Sequence, residues 1–119
     1  MVKELEMKTF LIVTVAFLIG TFAFAQSRAV SYESITVADT AIGITPSTLT
    51  LVLANGQCSG RLETGQIRFR VDGTDPTDSE GILLEVGELI KVTQLTNLLA
   101  FKAIRTGATS GVLKIHCFQ

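Results

Sequence analysis

The chain has no tryptophan, one histidine, one tyrosine, two prolines and two cysteines among 119 residues. Each scarcity excludes something. With His116 as its sole histidine and no thiolate pair at metal-binding spacing, the chain lacks the ligands of an ordinary zinc site. A lone histidine on the polar side of a terminal strand reads as exposed. No G-x-S-x-G elbow, P-loop or C-x-x-C motif is present, and no carboxylate pair stands out for glycoside hydrolysis. A non-enzymatic protein is therefore expected. Charge of one sign is not in excess either: ten basic residues face eleven acidic ones. That balance gives no electrostatic case for nucleic acid or for an anionic membrane surface.

A long hydrophobic run occurs in one place. Met7-Lys8 opens a short basic start, Phe10 to Phe24 is an apolar run, and Ala23-Phe24-Ala25 precedes Gln26. These are the three parts of a secretory signal peptide. The first residues, MVKELE, carry two acids and fit the basic start badly, so Met7 is an alternative beginning. The competing reading is a retained anchor. Thr9 to Ala25 is 17 residues, at the short limit for crossing a bilayer, and no basic stop-transfer cluster follows. The expected organisation is a leader over 1–25 and one domain over 26–119. The domain has eight basic and nine acidic residues. An exported protein is expected: periplasmic, extracellular, on the cell surface, or in a virion.

Two cysteines allow one intramolecular pairing, Cys58 with Cys117. In an exported chain a bridge would stabilise by roughly 2–4 kcal/mol. The other reading is two small buried hydrophobes.

What is present in quantity is alternation. Gln66 to Val92 organises the rest. Ile67, Phe69 and Val71 alternate with Arg68, Arg70 and Asp72, the period of a half-buried strand. Asp72-Gly73 ends it with a turn pair, and Pro76 blocks further ladder pairing. After Gly81 the alternation resumes with Ile82, Leu84 and Val86. Upstream, Gln26 to Ser34 reads as a loose entry and Ser34 to Ala38 as a first strand, with Ala41 to Thr45 as its continuation. Thr48 to Leu53 alternates Leu49, Leu51 and Leu53, a second strand. Asn55-Gly56 signals a hairpin, with Gln57 to Glu63 returning and Gly60 as a bulge candidate. Downstream, Leu89 to Thr93, Ala100 to Thr106 and Val112 to Phe118 are strands, and Gln94 to Leu99 is a loop or a single helical turn. In the last strand Leu113, Ile115 and Cys117 share one face. Seven or eight short strands with no amphipathic helix predict an all-β fold, an antiparallel β-sandwich of Ig-like or jelly-roll type, with a small barrel as the alternative.

Two clusters are candidates for binding. Asp72, Asp75, Asp78 and Glu80 place four acids on one loop, a weak calcium candidate because Ca²⁺ takes six to eight oxygen ligands. Pro76 limits how that loop would wrap an ion, and a solvated turn is the plainer reading. No other cofactor is expected. Arg61, Arg68 and Arg70 fall on adjacent predicted strands and would share an outward face able to hold a carboxylate, a phosphate or an acidic partner bidentately. The plainer reading is cross-strand pairing with neighbours such as Glu63 or Glu85. Few aromatics remain beyond the leader for a sugar-binding face: Tyr32, Phe69, Phe101 and Phe118, of which Phe69 and Phe101 point inward.

The stretches IRFRVDGTDPTDSEGILLEVGE and LLAFKAIRTGATSGVLKI carry a resemblance. They resemble small phage proteins with an R-x-DGT-x-PT … F-KAIRTGATSG layout, over roughly residues 34–116. The most specific parts are Asp72-Gly73-Thr74, Pro76-Thr77 and Ala103 to Gly111. A weaker likeness runs to the Ig-like module at the C-terminus of chitobiase-type enzymes. The first resemblance implies a virion accessory or capsid-decoration β-sandwich; both imply structural rather than catalytic work. The leader and the cysteines depart from the phage pattern and suit export. The expected partner is a protein assembly, capsid or cell-surface, with the chain oligomeric or assembly-bound. The alternative role is a secreted or envelope-attached interaction module, near glycans. Membrane contact is expected only through residues 9–25, if the leader is retained, and nucleic acid is not expected.

Overall fold

The alternating segments become seven antiparallel strands in a computed structural model that describes residues 27–119. The leader expected over 1–25 lies outside the described residues. The strands are β1 (Ala29–Val37), β2 (Gln57–Thr64), β3 (Ile67–Arg70), β4 (Ile82–Leu84), β5 (Leu89–Thr93), β6 (Lys102–Arg105) and β7 (Gly111–Phe118). A 3-10 turn, Pro46–Leu49, follows β1, and a short helix, α1 (Leu95–Ala100), follows β5. One sheet has the order β1-β7-β2-β5 and the other β4-β3-β6. We refer to them as the four-stranded and three-stranded sheets.

The two sheets face each other as a sandwich. Ile35, Val37, Cys58, Leu62, Ile90, Leu113, Ile115 and Cys117 come from the four-stranded sheet, and Ile67, Leu84 and Ala103 from the three-stranded one. Phe101 closes the core, stacked on Phe69 with ring centroids 5.7 Å apart. The inward placement expected for both rings therefore holds. β7 shows the period of two without a break: Leu113, Ile115 and Cys117 are buried and His116 is exposed.

Cys58 and Cys117 form a disulfide. They are direct cross-strand partners on β2 and β7, with Cα atoms 4.0 Å apart. That is nearer than the 5.5–6 Å most common for bridges, because directly opposed residues of an antiparallel pair already approach to about 4.5 Å. The bridge is inside the sandwich, where Cys117 is fully buried.

Several expectations fail locally, among them Ala41 to Thr45, which holds an isolated bridge at Ile42 rather than a strand. Thr48–Leu53 is not a strand. Pro46 starts a 3-10 turn, and its three-residue repeat buries Leu49 and Val52 while leaving Leu51 and Leu53 exposed. Asn55-Gly56 does not join two strands. The Gly56 N–H closes a turn on the Leu53 carbonyl, and a Cβ at Gly56 would lie 2.6 Å from the Phe118 carbonyl oxygen. Gly is required there for close approach. β1 starts at Ala29, well before Ser34, because its inward polar groups find partners. The Ser31 hydroxyl donates to the Thr48 carbonyl at 2.6 Å, and the Glu33 carboxylate accepts from the Thr45 N–H at 3.1 Å. Finally, the β2 irregularity falls between Leu62 and Thr64, not at Gly60. Gly60 serves packing instead: a Cβ there would sit 1.9 Å from the Lys114 carbonyl oxygen of β7.

Candidate functional site

The three-stranded sheet is covered on its outer face by the loop that joins β3 to β4. The loop is built locally. Gly73 takes φ 83°, and the Asp72 carboxylate accepts the Thr74 N–H at 3.2 Å, as the Asp-Gly pair predicts. Pro76 is buried, so it anchors the loop as well as interrupting pairing. Thr77 organises the tip: its hydroxyl accepts the Glu80 N–H at 2.9 Å and its own N–H reaches the Glu80 carbonyl at 2.9 Å. Arg68 then straps the loop down. Its guanidinium donates to the Asp78 carbonyl at 3.1 Å and the Gly81 carbonyl at 2.9 Å. Arg70 makes a two-point contact with the Asp72 carboxylate, at 3.0 and 2.5 Å. That hydrogen bond, with the Thr74 N–H adding to it, lowers the Asp72 pKa to about 2, and Arg70 is correspondingly raised.

This flap and the end of β6 enclose a groove of about 350 Å³. Pro76, Thr77 and Asp78 form one wall, Ile104 to Gly107 the other, and Asp39 joins them. Pro76 to Asp78 and Ile104 to Gly107, distant in sequence, thus meet in one cleft. The Arg105 side chain is half-buried and donates to the Ser110 hydroxyl at 3.4 Å. Thr106 is fixed by its hydroxyl, which donates to Gln66 Oε1 at 2.7 Å. The groove offers both signs of charge and an aliphatic floor, a surface suited to hydrogen-bonding a polar segment.

The predicted site residues separate. Arg68 and Arg70 stay together on β3, but Arg61 is on β2 in the other sheet. The three do not share a face. The expectation of adjacent strands fails because β2 pairs with β5 and β7, and β3 with β4 and β6. Of the four loop acids, Asp72 is engaged by Arg70, while Asp75, Asp78 and Glu80 are exposed along the flap. Among the described residues no group of three or more His, Cys, Asp or Glu is placed to hold a metal ion. The plainer reading, in which these arginines pair with Glu63 or Glu85, does not hold among the described residues, where both acids find other partners. Glu63 pairs with Lys114 at 3.4 Å, and Glu85 accepts from Gln66 at 2.7 Å.

A second surface was not anticipated. The outer face of the four-stranded sheet displays the alternate residues of four adjoining strands, and register puts them in rows. Tyr32, His116, Ser59 and Lys91 form one row, and Ser34, Lys114, Arg61 and Leu89 the next. Tyr32 is tilted against His116 with ring centroids 5.1 Å apart and is 53% exposed. Alternation in each strand was legible, but the strand order that gathers these cations was not.

No protein-family model, no curated protein and no solved structure matches this chain. Among the described residues no helix is long and apolar enough to cross a membrane.

Proposed function

We propose that this protein is a non-enzymatic structural component that docks its sandwich onto a larger assembly, as a virion accessory protein of the capsid-decoration type. One observation carries the reading. Parts of the segments that carry the resemblance, Pro76-Thr77 and Ile104 to Gly107, are distant in sequence yet flank a single groove. Residues serving only their own turns have no reason to converge. Function as docking fits a rigid β scaffold that presents loops and flat faces rather than a deep enclosed pocket. The test is quantitative mass spectrometry of purified particles from the source, together with the neighbouring genes. The protein at fixed copy number beside capsid proteins supports the reading. Its absence from particles, with secretion into the medium, overturns it.

The second reading is a secreted or envelope-attached interaction module. It is favoured by the Cys58–Cys117 disulfide, since such bridges persist in oxidising compartments. Calcium at Asp72, Asp75, Asp78 and Glu80 is not needed by either reading.

A further inference from the structure

We infer that the partner for the outer face of the four-stranded sheet is a second copy of this chain, bound through its acidic flap. The inference rests on the docking role proposed above and names one surface and one occupant for it. The chain is nearly neutral, but its exposed charge is uneven: the outer face of the four-stranded sheet is rich in cations and the flap over the three-stranded sheet is rich in acids. On the four-stranded face, Arg61, Lys91 and Lys114 project with His116, and Glu63 beside Lys114 is the acid paired there. On the other side, the flap over the three-stranded sheet exposes Asp75, Asp78 and Glu80, whose carboxylates make no ion pair among the described residues. Arg68 is turned to the Asp78 and Gly81 carbonyls, and Arg70 is engaged by Asp72.

The cationic face of one copy and the acidic flap of another are therefore complementary. A two-fold dimer would oppose like with like. Complementary patches on opposite sides give head-to-tail contact, which closes into a ring or runs on as a filament. Tyr32, Arg61, Lys91 and His116 are exposed on the cationic face. Tyr32, and Leu89 at 70% exposed, add apolar anchors beside the cations. An aromatic residue, an arginine and a charged rim are the composition that protein interfaces favour. Complementary charge would set the orientation and the encounter rate, so association should be salt-sensitive.

The test uses the full-length chain, in mild detergent where the leader is retained. One variant carries Arg61→Glu with Lys91→Glu, and another carries Asp75→Lys with Asp78→Lys. All these side chains are exposed, so melting temperature should stay close to the parent and serves as the control for folding. Wild type should associate with rising concentration in light scattering, and about tenfold more weakly at 0.5 M than at 0.05 M salt. Each variant alone should be monomeric, and an equimolar mixture should associate again. Carbodiimide coupling of mixed isotope-labelled wild type should join Lys91 or Lys114 of one copy to Asp75, Asp78 or Glu80 of another. Wild type that stays monomeric at low salt, or association that neither variant alters, overturns the inference. A monomer present in particles at fixed copy number overturns self-docking alone. A self-associating protein absent from particles overturns the assembly role and leaves the contact standing.

Discussion

The two sheets of the sandwich are stabilised by different means. The four-stranded sheet is held from inside: β2 and β7 share a long ladder, are bridged at Cys58–Cys117, and close to the point where Gly60 admits no side chain. On its outer face Tyr32, Arg61, Leu89, Lys91 and His116 are exposed among the described residues. The three-stranded sheet has short strands, three residues in β4 and four in β3 and β6. It is held partly from outside, by a flap that Arg68 ties to its surface. Covalent closure and backbone fit free one face for contact, while polar straps occupy the other. The difference teaches that the stable sheet is the one able to present an open face, and that the acidic loop is structural and surface at once.

The comparison breaks most visibly at the disulfide. The two cysteines are 59 residues apart in sequence, so the bridge removes much freedom from the unfolded chain. Cys58→Ala with Cys117→Ala should cost about 3 kcal/mol and lower Tm by on the order of 15 °C. Thermal unfolding measured with and without reductant checks it: reductant should move the parent and leave the variant unchanged. Equal Tm in parent and variant would show that the ladder alone holds the sheet.

The next effect is at Gly60. An alanine Cβ there meets backbone, not a flexible side chain, so β2 and β7 must separate. Gly60→Ala should destabilise by about 2–3 kcal/mol, read from chemical denaturation. Gly107→Ala is the control, since a Cβ at Gly107 has no atom within 4 Å; it should change stability by less than about 0.5 kcal/mol.

The flap sharpens the comparison from the other side. Arg68→Ala removes two charge-assisted hydrogen bonds to backbone carbonyls and should cost about 1–2 kcal/mol, partly offset by solvent. The loss should be local. Hydrogen exchange at the Thr77 and Glu80 amides should accelerate while β7 amides keep their protection. Arg68→Lys should restore little, because an ammonium lacks the fork that spans Asp78 and Gly81. Faster exchange in β7 as well would mean that the sheets unfold as one unit and that the contrast is only one of shape.

Much of this was legible in the sequence. The class of fold, β5, the faces of β7 and the Asp72-Gly73 turn follow from the period of two and from turn chemistry. Leu49 to Leu53 misleads because leucine at alternate positions suits a strand, while burial of Leu49 and Val52 depends on Pro46 starting a tighter turn. β1 is longer than its apolar residues suggest because Ser31 and Glu33 are satisfied by the segment around Thr45 to Thr48. The groove and the cationic face needed strand order. Neither the arrangement β1-β7-β2-β5 nor the folding of the 71–81 loop onto Arg68 is encoded in local pattern. Such arrangements arise from long-range pairing, which periodicity does not report.

The smallest effect concerns Asp72, and its sign follows from the direction of its shift. The Arg70 contact holds the folded-state pKa at about 2, below the ordinary 3.8. The folded state therefore favours the ionised form, and the contribution is present above about pH 4 and lost as pH falls through 2. The pair is exposed, so salt screens it and its share of global stability is slight. The sharper readout is the titration of the Asp72 carboxyl by NMR. It should have its midpoint near 2 in the parent and return towards 3.8 in Arg70→Gln, with little change in Tm at neutral pH. In Arg70→Gln the flap should stay closed, since Arg68 still grips Asp78 and Gly81. A parent Asp72 titrating at its ordinary value would remove Arg70 from the straps and leave Arg68 as the guanidinium that holds the loop.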